Sequence, residues 1–202
     1  MKLYVFRHGT TDWNELKRLQ GNSNTELNEK GRELARTTAK AIKDLRIDYI
    51  FSSPLDRAYE TAQILRGDRN VEIVKDDRLM EICFGEDEGV VVEKRSPGCH
   101  WFFDDPEKYV PTKGAESLES LFKRTADFID SVLVPLSKEH PDANVMISGH
   151  GAMNKGLAAH LCNRGKKDFW AGAWQHNCSL SIYEINGFTF NLLEDGKIFY
   201  DI

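Results

Sequence analysis

Short apolar runs rich in β-formers alternate along this chain with segments of helical period, and no other feature of the sequence restricts the fold as much. Leu3-Tyr4-Val5-Phe6 is the first such run and ends at Arg7-His8-Gly9; Asp48 to Ser53, Val71 to Val74 and Val145 to Ser148 are the next three. Between the first two, Leu34, Thr38, Ala41, Ile42 and Leu45 recur on one helix face behind Asn28, a capping residue type, with Leu27 placed to staple the entry. Pro54 stands where a helix can begin without an N–H, which puts Arg57 in the opening turn. Ser117 opens the longest amphipathic stretch, running to Leu136, and Pro135 should kink or end it. Another helix follows Gly149-His150-Gly151, and Asn186-Gly187 joins two late β-prone runs in hairpin fashion. Strands separated by helices pair in parallel and are covered on both faces. The expected fold is therefore α/β, with a mostly parallel central sheet and an antiparallel pair near the end.

Composition removes the other classes. A chain of 202 residues has the size of one domain, and 41% hydrophobic with 29% charged residues is neither a disordered chain, a collagen-like fibre nor a coiled coil. No apolar run approaches the roughly 20 residues that span a bilayer, so we expect no membrane partner and a cytoplasmic protein. The net charge of −5 and the scatter of Lys and Arg argue against a nucleic-acid partner. Cys83, Cys99, Cys162 and Cys178 are irregularly spaced and are read as reduced thiols with no metal.

One stretch breaks the alternation. Residues 86–116 hold Trp101, Phe102, Phe103 and Tyr109 among Pro97, Pro106 and Pro111 without a regular period. We expect an irregular insertion over the sheet that acts as a lid. Its eight acidic residues outnumber its four basic ones. That balance predicts repulsion of a bisphosphate or a carboxylate-bearing ester and a neutral, aromatic or cationic leaving group resting on the aromatics.

Four basic side chains stand at one end of the expected sheet: Arg7 and His8 after the first strand, Arg57 past the second and His150 past the fourth. Ligands of open α/β sheets sit beyond the carboxyl ends of the strands, so these four should converge. The helices opening near Pro54 and Gly151 add N-terminal N–H groups, and two guanidinium forks suit a phosphate better than a lone carboxylate.

Arg7-His8-Gly9-Thr10-Thr11-Asp12-Trp13-Asn14, Leu27-Asn28-Glu29-Lys30-Gly31, Ser52-Ser53-Pro54-Leu55-Asp56-Arg57-Ala58, Leu79-Met80-Glu81 and His150-Gly151 together resemble the histidine phosphatase superfamily, also called phosphoglycerate-mutase-like. The resemblance runs in order across almost the whole chain. It implies a three-layer α/β/α sandwich, no metal, no cofactor, a small phosphorylated metabolite as partner, and a phosphohistidine intermediate. His8 would be the nucleophile. Arg7, Arg57 and His150 would hold the phosphoryl oxygens, with Asn14, Gly21 and Gly151 completing the binding set. Glu81 would be the proton donor, in competition with Glu86, Asp87 and Glu88 of the acidic run that follows. Hydrolysis is favoured over mutase chemistry because the chain leaves little room for a closing insertion. Other readings are a non-catalytic phosphate-recognition scaffold and a metallohydrolase built on His8, His150 and carboxylates.

Overall fold

The structure is a computed structural model and describes residues 1–201. In chain order the elements are β1 Lys2–Arg7, α1 Asp12–Glu15, α2 Glu29–Ala41, β2 Tyr49–Ser52, α3 Asp56–Arg66, β3 Ile73–Lys75 and α4 Pro97–Asp104. They continue with α5 Leu118–Phe128, α6 Val134–Glu139, β4 Asn144–Gly149, α7 Gly151–Leu161, β5 Leu180–Asn186 and β6 Thr189–Lys197. The six strands form one sheet in the order β3-β2-β4-β1-β5-β6. β1, β2, β3 and β4 run parallel; β5 and β6 are antiparallel, joined through Asn186-Gly187 as expected.

Strand alternation sorts the core into two sides. Leu3, Val5, Val145 and Ile147 face the side covered by Phe128, Ile129, Leu133, Met153 and Leu157 from α5 to α7. Tyr4, Phe6, Ile50 and Met146 face the other, where Ala62 and Leu65 of α3 and Ile42 after α2 pack. The sandwich therefore has three layers. A further cluster, including Ile82, Phe84, Phe102, Leu118, Leu121 and Phe169, lies beneath residues 86–116.

Local chemistry sets the helix boundaries. Asn28 caps α2, its side chain accepting from Gly31 N at 2.9 Å, and Ser117 caps α5 through Ser120 N at 3.1 Å. Gly31 also lets α2 approach the loop after β1, since a Cβ there would meet Thr10 O at 2.1 Å. Three expectations change in detail. α3 starts at Asp56, so Pro54 precedes its cap, although Arg57 keeps its place in the first turn. Pro135 does not end the long segment: a wide turn over Ile129–Leu133, with Val134 N donating to Ile129 O, places Pro135 in the first turn of α6, where no N–H is required. Residues 86–116 are more regular than expected, because Ser96 caps α4 and Pro97 is its first residue.

Candidate active site

The two central strands deliver the two histidines. Arg7 pairs with Gly149 across β1 and β4, and His8 N donates to Gly149 O at 2.9 Å, so His8 and His150 leave adjacent strands together. Their ring centroids are 5.2 Å apart at 58°. His8 is 3% exposed and His150 fully buried. His8 Nδ1 donates to Gly9 O at 2.6 Å, which places the ring proton on Nδ1 and leaves the Nε2 lone pair uncommitted. Burial first, then the Arg57 and Arg7 guanidiniums, hold His8 well below the usual histidine range, and the bond to Gly9 opposes them only in part. His150 is depressed in the same way, by burial, then Arg57, His8 and Arg7.

Arg57 is completely buried and aimed by two carbonyls: Nη1 donates to Ser23 O and Nη2 to Gly21 O, both at 2.7 Å. Burial pushes its pKa down to about 10, against the opposing pull of Glu81. Arg7 donates through Nη1 to Gln175 O. What remains is a set of buried nitrogens with no partner among the described residues: Arg7 Nε, Arg57 Nε and both nitrogens of His150. An unpaired buried polar group costs about 1–3 kcal/mol, so guanidinium N–H groups left without partners, together with a neutral imidazole that can give one N–H, suit an anion.

The predicted binding residues lie here too. Asn14 commits Oδ1 to Thr11 N at 3.1 Å and to Asn177 Nδ2 at 3.3 Å, leaving Nδ2 for the cavity it lines. Gly21 has φ +51°, and a Cβ on it would strike Glu88 Oε1 at 2.2 Å. Gly151 opens α7, and its Cα faces Arg7 Nε and Glu81 Oε2, each 3.8 Å from where a Cβ would stand. Arg7, His8, Asn14, Gly21, Arg57, Glu81 and Gly151 all line one cavity of about 580 Å³; His150 stands directly behind it, against His8.

Glu81 is seated on the N-terminus of α7. Oε1 accepts from Met153 N at 2.8 Å and Ile82 N at 3.0 Å, and Oε2 from Ala152 N at 3.1 Å. Its three rivals are elsewhere. Glu86 is exposed, Asp87 accepts from Ser96 N at 2.8 Å and Ser96 Oγ at 2.6 Å, and Glu88 accepts from Asn22 N, Ser23 N and Phe84 N. None of the three lines the cavity.

Phe84, Phe102, Phe103, Trp170 and Trp174 also line the cavity, the first four in mutual aromatic contact. Of the four aromatics singled out in the sequence, Phe102 and Phe103 reach it. Tyr109 is buried with its hydroxyl donating to Glu116 O at 3.1 Å, and Trp101 is exposed beneath Lys108. The premise of the charge expectation, that the acids of 86–116 face the ligand, does not hold for most of them. Of the acidic residues in 86–116 only Glu93 lines the cavity. Asp104, Asp105 and Glu116 pair with Arg95, Lys108 and Arg124, so the summed charge of the segment does not describe the field inside.

Sequence reasoning missed the loop 171–177. Asn177 Nδ2 donates to His8 O at 3.0 Å and Gly9 O at 3.1 Å, Gln175 O receives Arg7, and Lys155 holds the loop from α7. No period or motif marks these contacts, and those of Asn177 and Gln175 join residues more than a hundred positions apart. Among the described residues no cluster of His, Cys, Asp and Glu has the form of a metal site, and no helix is long and apolar enough to cross a membrane.

Comparison with known proteins places this geometry. The family model of the histidine phosphatase superfamily (branch 1) matches residues 3–195. The chain is 31% identical over 175 residues to phosphoserine phosphatase 1 of Hydrogenobacter thermophilus, covering 85% of this chain and 81% of that one. Among solved structures, YhfR of Bacillus stearothermophilus superposes with a TM-score of 0.88 at 31% identity, covering 98% of this chain and 97% of that one. A mutant phosphoserine phosphatase from Entamoeba histolytica, in complex with phosphoserine, superposes with a TM-score of 0.82 at 27% identity over 97% and 96% of the two chains.

Proposed function

The chain belongs to the histidine phosphatase superfamily, and from that premise we propose that it is a metal-independent phosphomonoesterase that passes the phosphoryl group of a small metabolite first to His8 and then to water. The observation that carries this reading is the group of buried, partnerless nitrogens on Arg7, Arg57 and His150 around an imidazole whose Nε2 is free. Phosphoserine, the substrate named for similar proteins, supports a small phosphorylated metabolite as the substrate class here.

In the first step His8 Nε2 attacks phosphorus, the P–O bond to the leaving group breaks, and Glu81 gives its proton to the departing oxygen. Arg7, Arg57, His150, Asn14 Nδ2 and the Gly151 N–H stabilise the equatorial oxygens, whose charge changes most in transfer. In the second step the Glu81 carboxylate takes a proton from water, the hydroxyl oxygen bonds to phosphorus, and the N–P bond returns its electron pair to Nε2. The low proton affinity of His8 keeps it nucleophilic throughout. Of the four candidate carboxylates only Glu81 lines the cavity, and its Oε2 accepts a single backbone bond, which supports it as the donor.

Turnover of p-nitrophenyl phosphate in excess chelator tests the proposal. Full activity with chelator, and a loss of about a thousandfold or more in His8→Ala, is expected. Activity that chelator abolishes, or that survives in His8→Ala, contradicts it.

A further inference from the structure

Lys155 is a buried cation that the phosphoryl-transfer reading does not employ. It is 4% exposed and lies one helical turn beyond Gly151 on α7, about 6 Å along the axis. It lines the same cavity, beside Ala152 and the aromatic end. Nζ donates to Ala171 O at 2.8 Å and Ala173 O at 2.9 Å, which leaves one of the three ammonium N–H donors unspent. Asp195, the acid that acts on it most strongly, is committed to Ala173 N at 2.7 Å and Ser181 Oγ at 2.9 Å and forms no ion pair with it. A buried charge without a counter-charge is costly, and apolar walls such as Phe102 and Trp170 make it more so. An incoming anion removes that cost.

Resting on the phosphatase reading above, we propose that Lys155 determines specificity by receiving a carboxylate on the organic part of the phosphoester. The phosphoryl group occupies the arginine end, and the carboxylate stands farther along α7. A second phosphate is a poorer occupant, because Lys155 has one ammonium N–H left to give and the neighbouring Arg164 guanidinium already donates to Ala171 O. A neutral leaving group leaves the cation unpaired. The preference is the reverse of the one that the summed charge of residues 86–116 predicts.

Matched substrates differing only in the carboxylate test this: 3-phosphoglycerate against glycerol 3-phosphate, and O-phosphoserine against O-phosphoethanolamine, with p-nitrophenyl phosphate as baseline. The wild type is expected to favour the acid of each pair by about tenfold or more in kcat/KM, the worth of one charge-assisted hydrogen bond. Lys155→Met should erase that preference through KM, lowering kcat/KM for the acid of each pair about tenfold or more beyond any loss on p-nitrophenyl phosphate, and Lys155→Arg should keep part of it. Equal losses on all substrates in Lys155→Met would make the residue a strut for the 171–175 backbone and overturn the proposal. So would a wild type indifferent to the carboxylate, a result that stands even where the methionine variant fails to fold. Absence of any turnover by the wild type, p-nitrophenyl phosphate included, would instead remove the phosphatase reading.

Discussion

His8 and His150 are held neutral by burial and by the guanidiniums of Arg57 and Arg7. The unfolded chain binds protons on these rings near pH 6.5, whereas the folded protein resists them to lower pH. Their stability cost is therefore absent above about pH 6.5 and grows as pH falls below it, because there the unfolded state takes up protons that the folded state refuses. The melting temperature is expected to decline from pH 6.5 to 5, and His8→Ala should flatten the decline; an unchanged slope would show that His8 titrates normally. Glu81 carries the second residue-scale prediction. Glu81→Gln should slow an alkyl phosphate by about a hundredfold or more, yet slow p-nitrophenyl phosphate far less, since an acidic phenol leaves without a proton. Equal losses on the two esters would remove Glu81 from the donor role.

At the scale of elements, the segment 86–116 is held together internally by one buried carboxylate. Asp87 receives the N–H and hydroxyl of Ser96, the residue that caps α4. Asp87→Ala leaves both donors open at a cost of about 1–3 kcal/mol. Limited proteolysis should then cut within 86–116 faster than in the wild type, while hydrogen exchange in α7 stays as it was; protection lost equally in α7 would mean that the segment does not open on its own. The helix α4 itself was not legible in the sequence, because three prolines and a cluster of aromatics mask a period spanning only two turns. The strand ends were legible for the opposite reason. Each apolar run stops at Arg7-His8-Gly9, at Ser53-Pro54 or at Gly149-His150-Gly151, and the βα pattern forces those ends to one edge of the sheet. The carbonyls that aim Arg57 and Arg7, from Gly21, Ser23 and Gln175, belong to loops whose contacts leave no mark in local sequence. Lys155 was hidden similarly. Its position on α7 reads as an ordinary helix-surface lysine until the loop 171–177 folds over it.

Across the whole molecule, the open donors of the site should make stability depend on ligand. Inorganic phosphate at a hundred times its Kd adds about 2.7 kcal/mol, which for a chain of this size is a rise of about 5–10 °C in melting temperature. Arg57→Ala should abolish most of that rise, and an equal rise in the variant would place the anion elsewhere. The aromatic end and the arginine end of the cavity are contributed by separate parts of the chain, residues 84–103 and 170–174 on one side and the ends of β1, β4 and α3 on the other. A sum of charges over the contiguous segment 86–116 does not describe the field in the cavity, because Asp104, Asp105 and Glu116 pair with Arg95, Lys108 and Arg124 and only Glu93 of its acids lines the cavity.

On the proposed mechanism phosphorus becomes bonded to His8 during turnover. Rapid quench of the wild type with excess phosphomonoester into alkali, which preserves N–P bonds, followed by peptide mass spectrometry, measures this directly. The account predicts one added phosphoryl group on the peptide containing His8, assigned to that imidazole, forming as fast as the ester is cleaved. A phosphoryl group on any other side chain, or turnover at full rate with none trapped and none forming in a single turnover, would contradict it.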